Sequence, residues 1–134
     1  MEKETMKVLY KAPLSNSKMV SVENTLEGLQ RLVGGYIQTL PAVSLLGSDR
    51  KLTVICDKEA KLKYPEPKAN LFINVPPVCD VICGSVAIVA AEGEWFDGLT
   101  EDEFTIAEAW IRMVEIVKVG DAAEKRGTYK ITED

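Results

Sequence analysis

The sequence predicts an α+β fold, in which a small mixed, mainly antiparallel sheet is covered by one short and one long helix. Turn-forming residues at 13–17 separate two short apolar segments, and this pattern predicts an N-terminal hairpin. The segment 85–90 is apolar at every position after its first residue, which is typical of a central strand buried on both faces. A helical pattern with clear start and stop signals occupies 100–119.

The elements of the first half have their own local signals. Strands are predicted at 7–12, 18–22, 36–40 and 52–56. The short helix is predicted over 24–34, because Asn24 is a good N-cap and Glu27 can complete a capping box. Gly34 suits the left-handed position that ends many helices.

The long C-terminal helix has the clearest signals. Thr100 is the predicted N-cap, Glu103 completes a capping box, and Gly120 ends the helix after Val119. Apolar side chains occupy most of the circumference of the helix predicted over 104–119. This apolar surface is wider than one sheet can cover. We therefore expect a homo-oligomer formed through this helix, and the alternative is a helix wrapped by its own C-terminal tail.

The whole chain, 1–134, is predicted to form one domain, with an ordered core over about 6–119 and a polar tail over 120–134. Residues 57–70 are predicted to be a polar loop, and 71–80 to be irregular because of the two consecutive prolines. Trp95-Phe96 is predicted to lie in a loop, and 129–131 could add a short edge strand.

The composition excludes several classes of chemistry. The chain has no histidine, so it has no imidazole base and no histidine metal ligand. Its three cysteines cannot all pair, and none of their spacings matches a zinc or redox motif. We expect buried, reduced thiols, no metal, no cofactor and no enzymatic activity.

Charge is unevenly distributed along the chain. The net charge is −5, yet residues 50–91 have six bases and four acids, whereas 92–134 have twelve acids and five bases. An acidic chain is a poor binder of bulk nucleic acid, because that affinity comes from neutralising phosphates. The apolar run 86–91 is too short to cross a membrane, and the N-terminus has no signal-like core. We expect a cytoplasmic protein with no membrane partner.

One stretch of the sequence is specific enough to indicate a family. The segment NTLEGLQRLVGGYIQ at 24–38 resembles a family known chiefly from phages and mobile elements, catalogued as domain of unknown function 3846. The resemblance continues through ICDKEAKL at 55–62, Asn70, the segment 80–85 and Leu99-Thr100, and so covers about 7–105. The chain departs from the family pattern at 57–60, where Asp57 replaces the usual Asn and Ala60 replaces the usual Gly.

The resemblance implies a small α+β domain without an established active site. It also implies a phage accessory protein that acts in the host bacterial cytoplasm. We expect such a protein to bind and sequester a nucleotide-derived immune signal, of the cyclic dinucleotide or cyclic ADP-ribose type, without cleaving it. The ligand is a small anion, and its recognition needs aromatic faces, cations and amides. The candidate residues are Arg31, Tyr36, Lys58, Lys61, Asn70 and Trp95.

Two other functions remain open at this point. The acidic C-terminal third could mimic nucleic acid and inhibit a host defence or nucleic-acid-processing protein. Carboxylates and lysines could also serve an enzyme that cleaves such a signal, although no catalytic motif is present.

Overall fold

The described part of the chain consists mainly of strands, with three helices placed between them. The computed structural model describes residues 4–44, 50–63, 68–75, 78–92, 95–119, 122–125 and 129–131. The elements in chain order are β1 (Thr5–Lys11), β2 (Lys18–Glu23), α1 (Leu26–Val33), β3 (Ile37–Ser44), β4 (Lys51–Asp57), α2 (Ala60–Lys63), β5 (Ala69–Val75), β6 (Val78–Cys83), β7 (Val86–Glu92), β8 (Trp95–Asp97), α3 (Glu101–Val114), β9 (Ile116–Val119), β10 (Ala122–Lys125) and β11 (Tyr129–Ile131).

The largest sheet has the strand order β2-β1-β7-β4-β3, with β8 paired to β7. The predicted N-terminal hairpin is confirmed, because β1 and β2 pair antiparallel from Thr5↔Glu23 to Tyr10↔Lys18. The predicted central strand is also confirmed, since β7 lies in the middle of this sheet between β1 and β4. All strand pairs of the described residues are antiparallel, so the predicted mixed character is not observed there.

The two faces of the large sheet are covered by different elements. Side chains alternate between the faces along each strand, so that in β4 Val54 packs on one side and Ile55 on the other. One face, here called the α1 face, packs against α1; its buried members are Met6, Val8, Leu29, Val33, Ile55, Ala87 and Val89. The other, the α3 face, packs against α3 and the β5–β6 hairpin, with Leu71, Ile82 and Ile111 in its core. Described helices are all too short to span a membrane.

Helix α1 begins one residue later than the sequence predicts. Thr25, rather than Asn24, is the N-cap, because its backbone is extended and its side chain accepts a hydrogen bond from the Gly28 amide at 3.0 Å. The Asn24 amide instead donates to the Phe96 carbonyl at 3.0 Å and ties the helix start to β8. The predicted end is confirmed, since Gly34 has a left-handed backbone with φ of 92°.

Helix α3 begins as predicted but ends five residues early. The Thr100–Glu103 capping box is confirmed, with hydrogen bonds of 3.1 and 2.9 Å. The helix stops at Val114, and the prediction of a helix to Val119 is wrong. Residues 114–119 are rich in β-branched side chains, which favour extended backbone, and 116–119 pair with β10 instead. Within the helix, Arg112 forms an ion pair at 3.8 Å with Glu108, four residues earlier.

Regular structure also replaces two predicted irregular regions. Strands β5 and β6 pair antiparallel where 71–80 was predicted to be irregular, and the two prolines fall between them, outside the described residues. Helix α2 interrupts the predicted loop over 57–70. The prediction for 71–80 overestimated the breaking effect of the two prolines, which lie between β5 and β6 in the sequence.

The aromatic loop and the tail are ordered into strands as well. Trp95 and Phe96 belong to β8, which pairs with the end of β7, so their predicted loop placement is wrong. The predicted edge strand at 129–131 is confirmed as β11, which lies at the edge of the sheet β11-β10-β9. The segment predicted as a polar tail thus includes two paired strands.

Candidate functional site

A concave site lies on the α1 face, where β4 ends and β7 begins. It is a cavity of about 520 Å³, here called the α1 cavity. Its lining comes from the end of α1, the β1–β2 turn, the β4–α2 turn and the residues that flank β5 and β7. The residues are Pro13, Arg31, Leu32, Val33, Gly34, Asp57, Ala60, Lys68, Gly84 and Ser85. This volume falls in the range of small-molecule sites.

Two cations stand at the rim of the α1 cavity. Arg31 lies in the last turn of α1, and Lys68 precedes β5; both side chains are exposed. In the part of the chain that the structure describes, neither side chain forms an ion pair or hydrogen bond. Both cations can therefore contact an anionic ligand without first breaking an internal contact.

The floor of the cavity is polar. Asp57, the last residue of β4, is buried, and its Oδ1 accepts a hydrogen bond from the Glu59 amide at 3.0 Å. In the register of β4 and β7, Cys56 lies opposite Val86, so Asp57 and Ser85 are the next neighbours along the two strands. The Ser85 hydroxyl is 2.9 Å from the hydroxyl of Tyr10. The floor thus offers a carboxylate beside a hydroxyl.

Gly84 determines how closely the turns around the cavity approach each other. Its φ is 78°, a left-handed value, and an added Cβ would lie 3.3 Å from the Cβ of Ala60. The close neighbour at Gly84 is therefore Ala60, the first residue of α2. The Gly84 amide also donates to the Lys68 carbonyl at 2.9 Å, which holds Lys68 at the cavity rim.

Asn70 is not accessible to a ligand, which corrects its place among the candidates. It is fully buried, and its Nδ2 donates to the carbonyls of Lys11 and Gly84 at 2.9 and 2.8 Å. Its Oδ1 accepts from the buried Lys11 ammonium at 2.6 Å. Asn70 therefore supports the fold, and it fixes the backbone just beside the α1 cavity.

Lys58 and Lys61 line a second cavity of about 150 Å³, on the other side of the β4–α2 turn. Lys61 already forms an ion pair with Asp80 at 2.5 Å. Cys56 and Cys83 line the same cavity as buried free thiols. Burial, followed by the carboxylates of Asp57 and Asp80, raises the pKa of Cys56 to about 11.

Tyr36 and Trp95 are exposed but separate from the α1 cavity. Tyr36 is 68% exposed and lines a shallow site with Gln30 and Glu59. Trp95 is 78% exposed and pairs with Glu92, at the opposite end of β7 from Ser85. Seven residues of strand separate those ends, roughly 20 Å. Of the six candidate residues, Arg31 alone lines the α1 cavity.

Three polar residues of this cavity are not among the six candidates. Lys68 belongs to the basic middle segment, and Asp57 lies in the predicted polar loop at 57–70. Ser85 is the first residue of the predicted central strand. The register that places Ser85 beside Asp57 depends on long-range strand pairing, so no local signal could have shown it.

Comparison with known proteins identifies the family of this chain. No curated protein and no solved structure matches it significantly. The family model described as "Domain of unknown function (DUF3846)" matches residues 6–115, which include α1, the β4–α2 turn and all of α3. The predicted resemblance is thus confirmed, and the chain belongs to the domain-of-unknown-function 3846 family.

Proposed function

We propose that this protein binds a small nucleotide-derived ligand in the α1 cavity and sequesters it without cleaving it. In this proposal the ligand is a bacterial immune signal, of the cyclic dinucleotide or cyclic ADP-ribose type, and the protein is a phage accessory protein that counters host defence. The observation that supports the proposal best is the cavity of about 520 Å³ with Arg31 and Lys68 at its rim.

The lining of the α1 cavity suits the parts of a nucleotide. Arg31 and Lys68 can donate to phosphate oxygens, and Leu32 and Val33 give an apolar wall for a base. Asp57 and Ser85 can bind hydroxyl groups. The last turn of α1 presents carbonyls rather than amides, so phosphate binding depends on the two cations.

A thermal-shift screen tests this proposal. Binding to the folded state raises the melting temperature, so one member of a panel of cyclic dinucleotides and cyclic ADP-ribose should stabilise the protein by several degrees at millimolar concentration. The ligand released on denaturation should have its original mass. A flat response across the panel contradicts binding, and recovery of a hydrolysed product contradicts sequestration and favours the enzyme.

Inhibition of a host protein through the acidic C-terminal third is the second candidate. The exposed Glu101 and Asp102 at the start of α3 favour it. Arg50, however, pairs with both Asp97 at 3.0 Å and Glu103 at 3.1 Å, which neutralises part of the acidic surface. Capture of a basic partner from host lysate, released by moderate salt, would support this second candidate over the first.

We also propose that two copies of the chain associate through α3. Ile106 and Met113, 41% and 69% exposed, lie seven residues apart on one side of the helix, with Ala109 exposed between them. This stripe is symmetric about its midpoint, so an antiparallel pair of helices places Ile106 opposite Met113.

A further inference from the structure

A third cation lies beside the α1 cavity, on the side of the N-terminal hairpin. Lys18 is the exposed first residue of β2, and the turn that precedes it includes Pro13, which lines the cavity. Side chains alternate along β2, and Val20 and Val22 pack against the α1 face, so Lys18 lies on that face as well. Among the described residues, no carboxylate forms an ion pair with Lys18.

Tyr10 connects Lys18 to the wall of the cavity. The two residues lie opposite each other in the register of β1 and β2, and the Lys18 Nζ is 5.9 Å from the centroid of the Tyr10 ring. An aromatic ring attracts a cation at this distance. At its other end, the Tyr10 hydroxyl is 2.9 Å from the hydroxyl of Ser85, which lines the cavity. Tyr10 therefore holds the ammonium of Lys18 near the cavity.

We propose that Lys18, positioned by Tyr10, forms a second anion subsite of the α1 cavity, and that the ligand is a cyclic dinucleotide rather than cyclic ADP-ribose. The first subsite consists of the rim cations Arg31 and Lys68. This inference rests on the proposed function and names the ligand class of the same site.

The position of Lys18 fits a ligand whose negative charges are separated. Lys18 and Ser85 lie on opposite sides of β1 in the order β2-β1-β7, so their backbones are at least two strand spacings apart, roughly 10 Å. In a cyclic dinucleotide a ribose separates the two phosphodiesters, so each phosphate can meet its own subsite. In cyclic ADP-ribose the two phosphates share a bridging oxygen and form one anionic centre. Charge-assisted hydrogen bonds at both subsites therefore favour the cyclic dinucleotide.

Isothermal titration calorimetry with matched probes tests the inference. The probes are cyclic di-AMP and cyclic di-GMP, each compared with the 3′,5′-cyclic mononucleotide of the same base, together with cyclic ADP-ribose. We expect the wild-type protein to bind one cyclic dinucleotide about fivefold or more tightly than its mononucleotide and than cyclic ADP-ribose, because the second phosphate gains a charge-assisted hydrogen bond. Lys18→Gln should lower that affinity about fivefold and leave the affinity for the mononucleotide unchanged.

Two further variants separate the subsite from a general effect of charge or stability. Lys7→Gln removes an exposed lysine from the opposite face of the same hairpin, since Lys7 alternates with Val8 of the α1 face, and should retain the wild-type affinity. Tyr10→Phe keeps the ring beside Lys18 but removes the hydroxyl that contacts Ser85. In the Tyr10→Phe background, Lys18→Gln should therefore have a smaller effect, a coupling that a purely structural tyrosine does not produce.

The outcomes are distinct. Equal affinity for a cyclic dinucleotide and its mononucleotide, or an equal loss of both in Lys18→Gln, overturns the second subsite and leaves the proposed function standing. Tighter binding of cyclic ADP-ribose than of either cyclic dinucleotide overturns the ligand class and also leaves the proposed function standing. Absence of binding by all of these probes overturns the proposed function itself. The wild-type ratios decide the ligand class without any variant.

Discussion

Lys11 and Asn70 show how one buried polar contact fixes a larger region. Both side chains are fully buried, and they join β1 to β5 through the 2.6 Å contact between the ammonium and the amide oxygen. Burial of a charge is costly unless hydrogen bonds replace its hydration. Asn70 therefore stabilises the fold. Nothing in the local sequence indicates that this asparagine is buried.

Replacing Asn70 tests this assignment. Asn70→Ala should lower the free energy of unfolding by about 3 kcal/mol, because it removes a partner of a buried ammonium. Urea denaturation monitored by circular dichroism gives the value. Asn16→Ala, at an exposed position in the β1–β2 turn, should change it by less than about 0.5 kcal/mol. Similar midpoints for the two variants would contradict the structural role of Asn70.

The buried thiol of Cys56 gives a prediction about reactivity and pH. Its pKa rises from an ordinary value of 9.0 to about 11, so the thiolate fraction near neutral pH falls about a hundredfold. Iodoacetamide should alkylate Cys56 at least that much more slowly in the folded protein than in urea, as measured by peptide mass spectrometry. Comparable rates would show that the thiol is neither buried nor shifted.

The raised pKa of Cys56 also makes the free energy of unfolding depend on pH. The folded state favours the protonated thiol, so the stability that this thiol contributes is fully present below about pH 9 and is lost as pH rises through about 11. Cys83 contributes in the same direction, since burial also raises its pKa.

At the scale of elements, the sequence predicts the start of α3 better than its end. The Thr100–Glu103 capping box is a short-range pattern with its own hydrogen bonds, and it was predicted to the residue. The end of α3 depends instead on a competition between continuing the helix and pairing residues 116–119 with β10. That competition is decided by a distant strand, and the apolar run alone is compatible with both outcomes.

The early end of α3 narrows the proposed self-association surface to the Ile106–Met113 stripe. Met113→Lys should shift a dimer to a monomer, because it places a charge against the apolar side chain of Ile106 in the other copy. Sedimentation equilibrium measures the mass directly. Met19→Lys, at an exposed position on β2, is the matched control and should leave the mass unchanged. A monomeric wild-type protein at high micromolar concentration would contradict the association.

At the scale of the whole molecule, the sequence predicted the fold class and the central position of β7, but not the cavity. Arg31, Asp57, Lys68 and Ser85 come from four different segments. These segments meet because β4 pairs with β7, α1 packs on the same sheet, and the Gly84 amide donates to the Lys68 carbonyl. Local patterns contain no information on these long-range contacts. The basic segment 50–91 did indicate where an anion is favoured, because it includes Lys68 and the turn between β4 and α2.

The central claim is that the α1 cavity binds an anionic nucleotide through its two rim cations. Isothermal titration calorimetry with a cyclic dinucleotide and with cyclic ADP-ribose tests it most directly, on the wild-type protein, the Arg31→Gln/Lys68→Gln variant and the Lys51→Gln control. We expect one ligand to bind the wild-type and control proteins equally, and the double variant about thirtyfold or more weakly, because two charge-assisted hydrogen bonds are lost. Equal binding by all three proteins, or no binding by the wild-type protein, would contradict the claim.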